Sequence, residues 1–131
     1  MVVKLYPDAA ASLQKLKQAG FLLAVVTNQP DVGDGLIAHS EVDAMHEIMA
    51  RQLPLDVVKA CFHGHGQACD CRKPKPGMIL QTAMELGVNL TKSFMVGDRK
   101  SDIEAGRAVR VAATPRLALI AGLRAWPSGS W

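Results

Sequence analysis

Residues 21–30 read FLLAVVTNQP, and the fold turns on them. Six apolar residues run unbroken from Phe21 to Val26, and Thr27, Asn28 and Gln29 follow at once. A strand with one wet face would alternate apolar and polar residues. An unbroken run is the pattern of a strand buried on both faces, as in a parallel sheet covered by helices. Six residues fall far short of the roughly 20 needed to span a bilayer. The polar residues stand at the carboxyl end of this strand, where open parallel sheets hold their ligands.

The flanking stretches alternate in kind. PDAAASLQKLKQAG (7–20) predicts a helix: Pro7 suits its first turn, Leu13 and Leu16 share a face, and Gly20 suits its stop. TNQPDVGDG (27–35) reads as loop. SEVDAMHEIMARQL (40–53) predicts a second helix, with Ser40 as N-cap and Asp43 completing an approximate capping box. Its Val42, Met45, Ile48 and Met49 recur at helical spacing, which makes them a core stripe. DVVKACFH (56–63) reads as a strand. PGMILQTAMELG (76–87) is a helix opened by Pro76 and closed by Gly87. SFMVGD (93–98) is a short strand ending in an acid, and KSDIEAGRAV (100–109) a short helix. This order predicts an α/β fold of doubly wound type, a parallel sheet flanked by helices, in one domain of residues 1–131.

Composition agrees with that class. Hydrophobic residues are 49% and charged residues 21% of the chain, enough for one packed core. The net charge of +3 is mild and the basic residues are scattered, which argues against nucleic acid as a partner. No signal-like or membrane-spanning run is seen, so a cytoplasmic protein without a membrane partner is expected. Three cysteines are an odd number, unsuited to a disulfide scaffold and suited to a reducing compartment. The end of the chain differs. After Glu104 there is no acid, the basic residues are all Arg (107, 110, 116, 124), and both Trp lie in the last six residues. Residues 109–131 are therefore read as an atypical tail, such as a shifted reading frame would produce.

All three cysteines fall within CFHGHGQACDCRKPKP (61–76). In extended chain, residues i and i+2 point the same way. Cys61 with His63, and Cys69 with Cys71, can each present two ligands to one point. Three thiolates and an imidazole in a tetrahedron are a closed zinc site, structural rather than catalytic. His65 could replace His63, but the i, i+2 partnership favours His63. The plainer alternative is three small buried hydrophobes and two surface histidines. A Cys69–Cys71 disulfide would be strained.

Three strand ends carry polar residues: Thr27-Asn28-Gln29, Arg72-Lys73-Pro74 just past the cysteines, and Asp98 with Arg99 and Asp102 beyond it. A hydroxyl, two cations and two carboxylates thus converge where ligands sit. Phosphate takes the first three, and magnesium takes carboxylate oxygens. Taken singly, each has a plain reading as a turn residue, a solvated cation or a helix cap.

VVTNQP, CDCRKPKPGM and FMVGDRKSDIEAG resemble the second, third and fourth motifs of the haloacid dehalogenase superfamily of phosphatases. The wording is closest to the histidinol-phosphatase-like branch, and within it to the heptose 1,7-bisphosphate 7-phosphatases. The resemblance covers roughly residues 7–108. It implies a Rossmann-like fold and magnesium-dependent hydrolysis of a small phosphorylated sugar, or of histidinol phosphate, by a monomer. It implies that Thr27 and Lys73 bind the transferring phosphoryl group. Asn28, Gln29, Pro30 and Arg72 would help recognise substrate, Arg99 would lie near the sugar phosphate, and Asp98 would ligate magnesium. Cys61, His63, Cys69 and Cys71 would hold a structural zinc that pins the loop carrying Arg72 and Lys73.

One part of the pattern departs. Members of the family open with a strand ending in Asp-x-Asp-Gly, whose first Asp attacks phosphorus and whose second is general acid and base. No Asp-x-Asp-Gly occurs in the 131 residues. MVVKLYPD (1–8) stands where the family is already past it, and Asp8 reads as a helix start. The missing strand lies mid-sheet, between FLLAVVT and SFMVGD. The expectation is a gap there, which MVVKLY could fill as a makeshift strand without a carboxylate. Relatives also carry Arg-Gly where Asp34-Gly35 stands. The resulting expectation is a catalytically silent, shortened form of a sugar-phosphate phosphatase. The alternatives are a non-catalytic relative that binds a phosphorylated ligand or a partner, and a receiver-like module.

Overall fold

The computed structural model describes residues 3–4, 7–97, 99–109, 117–121 and 126–127. Its main sheet has four parallel strands in the order β3-β2-β5-β4. These are β2 (Leu22–Asn28), β3 (Val57–Cys61), β4 (Ser93–Val96) and β5 (Leu117–Ala121). A separate antiparallel pair joins β1 (Val3–Lys4) to β6 (Trp126–Pro127). No helix among the described residues is long and apolar enough to cross a membrane.

The unbroken apolar run of β2 is explained by its place, paired with β3 on one side and β5 on the other. Its side chains alternate between two cores. Leu23 and Val25 pack with Leu13 of α1 (Ala9–Gln18) and with Met49 of α3 (His39–Gln52). Ala24 and Val26 pack with Met78 and Ile79 of α4 (Gly77–Leu86) and Ala105 of α5 (Lys100–Ala108). α1 and α3 therefore cover one face, and α4 and α5 the other. α5 lies close on β4 because Gly106 has no side chain: a Cβ there would sit 2.7 Å from that of Met95. α4 ends where Gly87 turns left-handed, at φ 65°, a conformation glycine adopts at little cost.

Three expectations are corrected. The loop after Thr27 contains a single helical turn, α2 (Pro30–Gly33), because Pro30 presets the backbone of its first position. α3 starts at His39 with Ala38 as N-cap and no side-chain cap, so Ser40 lies inside the helix. There His39 is held by Asp43 four residues on and by ring contact with Phe62, at 4.0 Å between centroids. The core stripe holds at Val42, Met45 and Met49, with Ile48 half-buried.

The third correction concerns the place between β2 and β4. Of MVVKLY, the described Val3–Lys4 does not fill it but pairs with Trp126–Pro127. The place is taken by β5, parallel to both neighbours. LALIA can be buried whole, whereas VVKLY would bring the Lys4 ammonium into the middle of a covered sheet. The tail residues 110–116, 122–125 and 128–131 lie outside the described residues, Arg110, Arg116, Arg124 and Trp131 among them.

Candidate active site and metal centre

The carboxyl end of β2 sets the geometry. The Thr27 hydroxyl accepts a hydrogen bond from the Gln29 amide at 3.2 Å. The Asn28 side chain clasps the main chain of Lys73: its Oδ1 accepts from the Lys73 N–H at 3.0 Å, and its Nδ2 donates to the Lys73 carbonyl at 3.3 Å. This two-point grip brings residue 73 across to a strand 45 positions earlier. The Lys73–Pro74 peptide is cis.

From there the lysine side chain runs inward. Its ammonium donates to the Val26 carbonyl at 3.0 Å and to Asp102 Oδ1 at 2.5 Å. Lys73 is 7% exposed and Asp102 fully buried. Isolated, either charge would be costly at that depth; together they neutralise one another beside the main chain of Thr27. Asp102 also accepts the Arg99 N–H on Oδ2 at 3.2 Å, so one carboxylate caps α5 and anchors the lysine. Gly97 lies against it, where any Cβ would run into the carboxylate. Thr27, Asn28, Gln29 and Lys73 are thus drawn together. Pro30 opens α2 immediately beyond, and Arg99 is exposed at the start of α5. Asp98 lies outside the described residues.

Arg72 goes elsewhere. Its guanidinium donates to the carbonyls of Gly64 and Gln67, the latter at 2.9 Å. Lys75 likewise donates to the Cys69 carbonyl at 2.7 Å. Both cations tie down the loop between Cys61 and Cys71.

Within that loop, Cys61, His63, Cys69 and Cys71 bring their ligand atoms within 4.8 Å of one another. Cys61 Sγ lies 3.7 Å from Cys69 Sγ, 3.3 Å from His63 Nδ1 and 2.7 Å from Cys71 Sγ, and His63 Nδ1 lies 3.1 Å from Cys71 Sγ. A tetrahedron with zinc–sulfur bonds of about 2.3 Å has sulfur–sulfur edges of about 3.8 Å. The Cys61–Cys69 edge has that length, and the shorter edges would open slightly around an ion. The thiols also crowd each other. Burial, then the neighbouring Cys61 and Cys69, push the Cys71 thiol up to about 12, while the Arg72 backbone N–H holds Cys69 below its ordinary value. Three thiolates cannot share this space without a cation, so the donor set fits a metal.

His65 turns the other way, to Asp34. That contact holds the Asp34 carboxyl below its usual range, and the half-buried Asp31 completes the trio. Three features escaped the sequence reading: the Asn28 clasp, the engagement of Arg72 with loop carbonyls, and the Lys73–Asp102 pair. Only the last had a signal, since Asp102 sits at the third position of a helix that follows a strand end.

A family model for haloacid dehalogenase-like hydrolases matches residues 2–110. The chain belongs to that family. Among these hydrolases it is 40% identical over 108 residues to a D-glycero-beta-D-manno-heptose-1,7-bisphosphate 7-phosphatase of Pseudomonas aeruginosa, covering 79% of this chain and 61% of that one. With the protein of the same name from Pasteurella multocida the identity is 40%, over 76% and 60% of the two chains. The chain thus spans about three-fifths of the length of these relatives. A crystal structure of the D,D-heptose 1,7-bisphosphate phosphatase from B. bronchiseptica, complexed with magnesium and phosphate, superposes with a TM-score of 0.72. The two are 30% identical, and the match covers 83% of this chain and 63% of that one.

Proposed function

We propose that this chain carries the phosphate-binding half of a sugar-phosphate phosphatase, with a heptose 1,7-bisphosphate as the substrate class. The observation that carries the reading is Lys73, buried against Asp102 and Val26 at the strand end that presents Thr27. In this reading the Thr27 hydroxyl and the Lys73 ammonium meet the transferring phosphoryl oxygens, where fixed donors in a dry site act most strongly on developing charge. Asn28, Gln29, Pro30 and Arg99 border the substrate. Arg72 acts by fixing the loop and reaches substrate only if it leaves its carbonyl partners. The names of the relatives support the substrate, and the magnesium and phosphate in the related crystal structure support the cofactor.

Magnesium would offset phosphate charge, with Asp98 among its ligands. Zinc is the metal that suits the Cys61, His63, Cys69 and Cys71 donors, and its part is to hold the loop. Misplacing Lys73 by an ångström would cost about a hundredfold in rate. Because the 131 residues contain no Asp-x-Asp-Gly, they bind phosphate alone but do not turn it over. Residues 1–131 act as one domain, in the cytoplasm and without a second copy.

Phosphate titration followed by 31P NMR in magnesium, with zinc counted by elemental analysis, tests this. The chain is expected to hold one zinc and to bind phosphate saturably. The Lys73→Met/Asp102→Leu variant, which leaves no lone buried charge, is expected to bind at least about tenfold more weakly, the effect of losing one charge-assisted contact. Equal binding by that variant would overturn the reading, as would turnover of heptose bisphosphate by the chain alone.

A further inference from the structure

The loop between Cys61 and Cys71 is joined to the strand end that carries Thr27 and Asn28 at several points. The Arg72 guanidinium donates to the carbonyls of Gly64 and Gln67, and the Lys75 ammonium to that of Cys69. Next to Arg72, the main chain of Lys73 is clasped by Asn28. The shape of the loop and the place of Lys73 are therefore set together. What shapes the loop is its four donors, and three of them are thiols that can be oxidised.

The three thiols are not equivalent. Cys61 ends β3 and is 1% exposed. Cys69 and Cys71 are half-buried, but Cys69 lies between the exposed Ala68 and Asp70, whereas Cys71 leads into the half-buried Arg72. The main-chain N–H groups of Arg72 and Cys71 both hydrogen-bond to the Cys69 sulfur, and such donors support negative charge on it. Cys69 thus combines access from solvent with donors that stabilise a thiolate, the two properties that select a cysteine for oxidation. Its partner is settled by geometry. A bridge to Cys71, two residues on, is strained. Cys61 Sγ stands 3.7 Å away. A disulfide bond of about 2.05 Å asks those two sulfurs to close by about 1.6 Å, which draws the loop toward the end of β3.

We propose that Cys69 is a site of oxidation by hydroperoxides, and that a Cys61–Cys69 disulfide dismantles the metal centre and frees the loop that places Lys73. The Cys69 thiolate attacks the outer peroxide oxygen as the O–O bond breaks. The sulfur becomes a sulfenic acid, and the rest of the peroxide leaves as hydroxide or alkoxide and takes up a proton from water. The Cys61 thiolate then attacks the Cys69 sulfur, forming the S–S bond and expelling hydroxide. Two thiolates are oxidised and one peroxide is reduced. His63 and Cys71 remain, two donors short of the four that hold zinc. In a reducing compartment such a bridge is transient, because other thiols reverse it. The oxidation stands on the cysteine loop alone; its effect on phosphate rests on the reading of Lys73 as a phosphate contact.

The test treats the zinc-loaded chain with hydrogen peroxide, blocks free thiols, and cleaves before Asp56 and Asp70, which separates Cys69 from Cys71. Mass spectrometry is expected to find a peptide closed on itself through Cys61 and Cys69, with Cys71 blocked. One zinc is expected to leave for each bridge formed, and to be taken up again after dithiothreitol. Cys69→His, which keeps four donors, is expected to lose zinc to peroxide at least about tenfold more slowly than the parent, and Cys71→His at the parent's rate. Thiols and zinc unchanged by peroxide, a Cys61–Cys71 bridge instead, or equal rates for the two variants would overturn the site. Where a variant holds no zinc, the peptide map of the parent decides. Phosphate binding, followed by 31P NMR, is expected to weaken at least about tenfold in the bridged form and to return on reduction. Binding unchanged by the bridge would refute the link from loop to Lys73. Absence of binding before any peroxide would refute the phosphate reading instead, and the bridge would still be judged by its peptide map.

Discussion

Lys73 and Asp102 show how a polar residue earns a buried place. The lysine follows directly on the cysteine loop, yet its ammonium ends deep in the molecule, against Val26 and Asp102. Coulomb attraction there is offset by the cost of taking both charges from water, so the pair itself adds little stability. Breaking it is another matter. Lys73→Met leaves the fully buried Asp102 carboxylate with the Arg99 N–H but without the Lys73 charge, and is expected to lose about 3–5 kcal/mol in urea unfolding. Replacing both, as Lys73→Met/Asp102→Leu, should recover most of that loss, stopping short of the parent by about 0.5–2 kcal/mol for the lost cap on the Arg99 N–H. A double variant as unstable as the single would mean that the pair holds the site through contacts beyond charge. In the sequence Asp102 was one of two acids near a helix start, readable as a magnesium ligand or as a cap. What singles it out is depth, which one-dimensional spacing does not carry.

At the scale of elements, the legible parts were those written in periodicity. The run from Phe21 to Val26 declared a covered strand, and Val42, Met45 and Met49 declared a helix face, because each pattern repeats the geometry that buries it. The start of α3 was misread because Ser40 is a good cap in isolation, while the ring contact of His39 with Phe62 is a tertiary fact. The short helix after Gln29 was hidden by turn-forming residues that suit loop and single turn alike. α3 also carries a titration. His46 lines a hollow with Asp43, Glu47, Leu55 and Asp56, and burial lowers its value below the ordinary 6.5 despite the opposing pull of Asp43. The unfolded chain therefore takes up the proton first. Stability falls as pH drops through the ordinary histidine value, then levels off once the folded imidazole is also charged. His46→Leu should lack this component. The difference in melting temperature between parent and variant is expected to shift in the variant's favour between about pH 7 and pH 5. A difference constant over that interval would show that His46 titrates equally in both states.

For the whole molecule, the decisive element is the one the sequence left out of the sheet. The tail was set apart by its composition, yet LALIA within it joins β2 to β4. Without it the sheet would be two pieces, β3-β2 and β4, facing one another across a strand's width. Composition could mark the tail as unusual but could not say which neighbours it meets, because an apolar run of five fits any vacant slot. β5 lies opposite five residues of β2 and four of β4. At roughly 1 kcal/mol net for each hydrogen bond, losing half of that ladder removes several kcal/mol. A domain of this size has only about 5–15 kcal/mol in total. A chain ending at Val109 should therefore lose its cooperative thermal transition and bind hydrophobic dye, as expected of a sheet opened along its middle. A sharp transition within a few degrees of the parent would mean that β2 and β4 close on each other directly. In that event the central place of Leu117–Ala121 would contribute nothing to holding the two halves together.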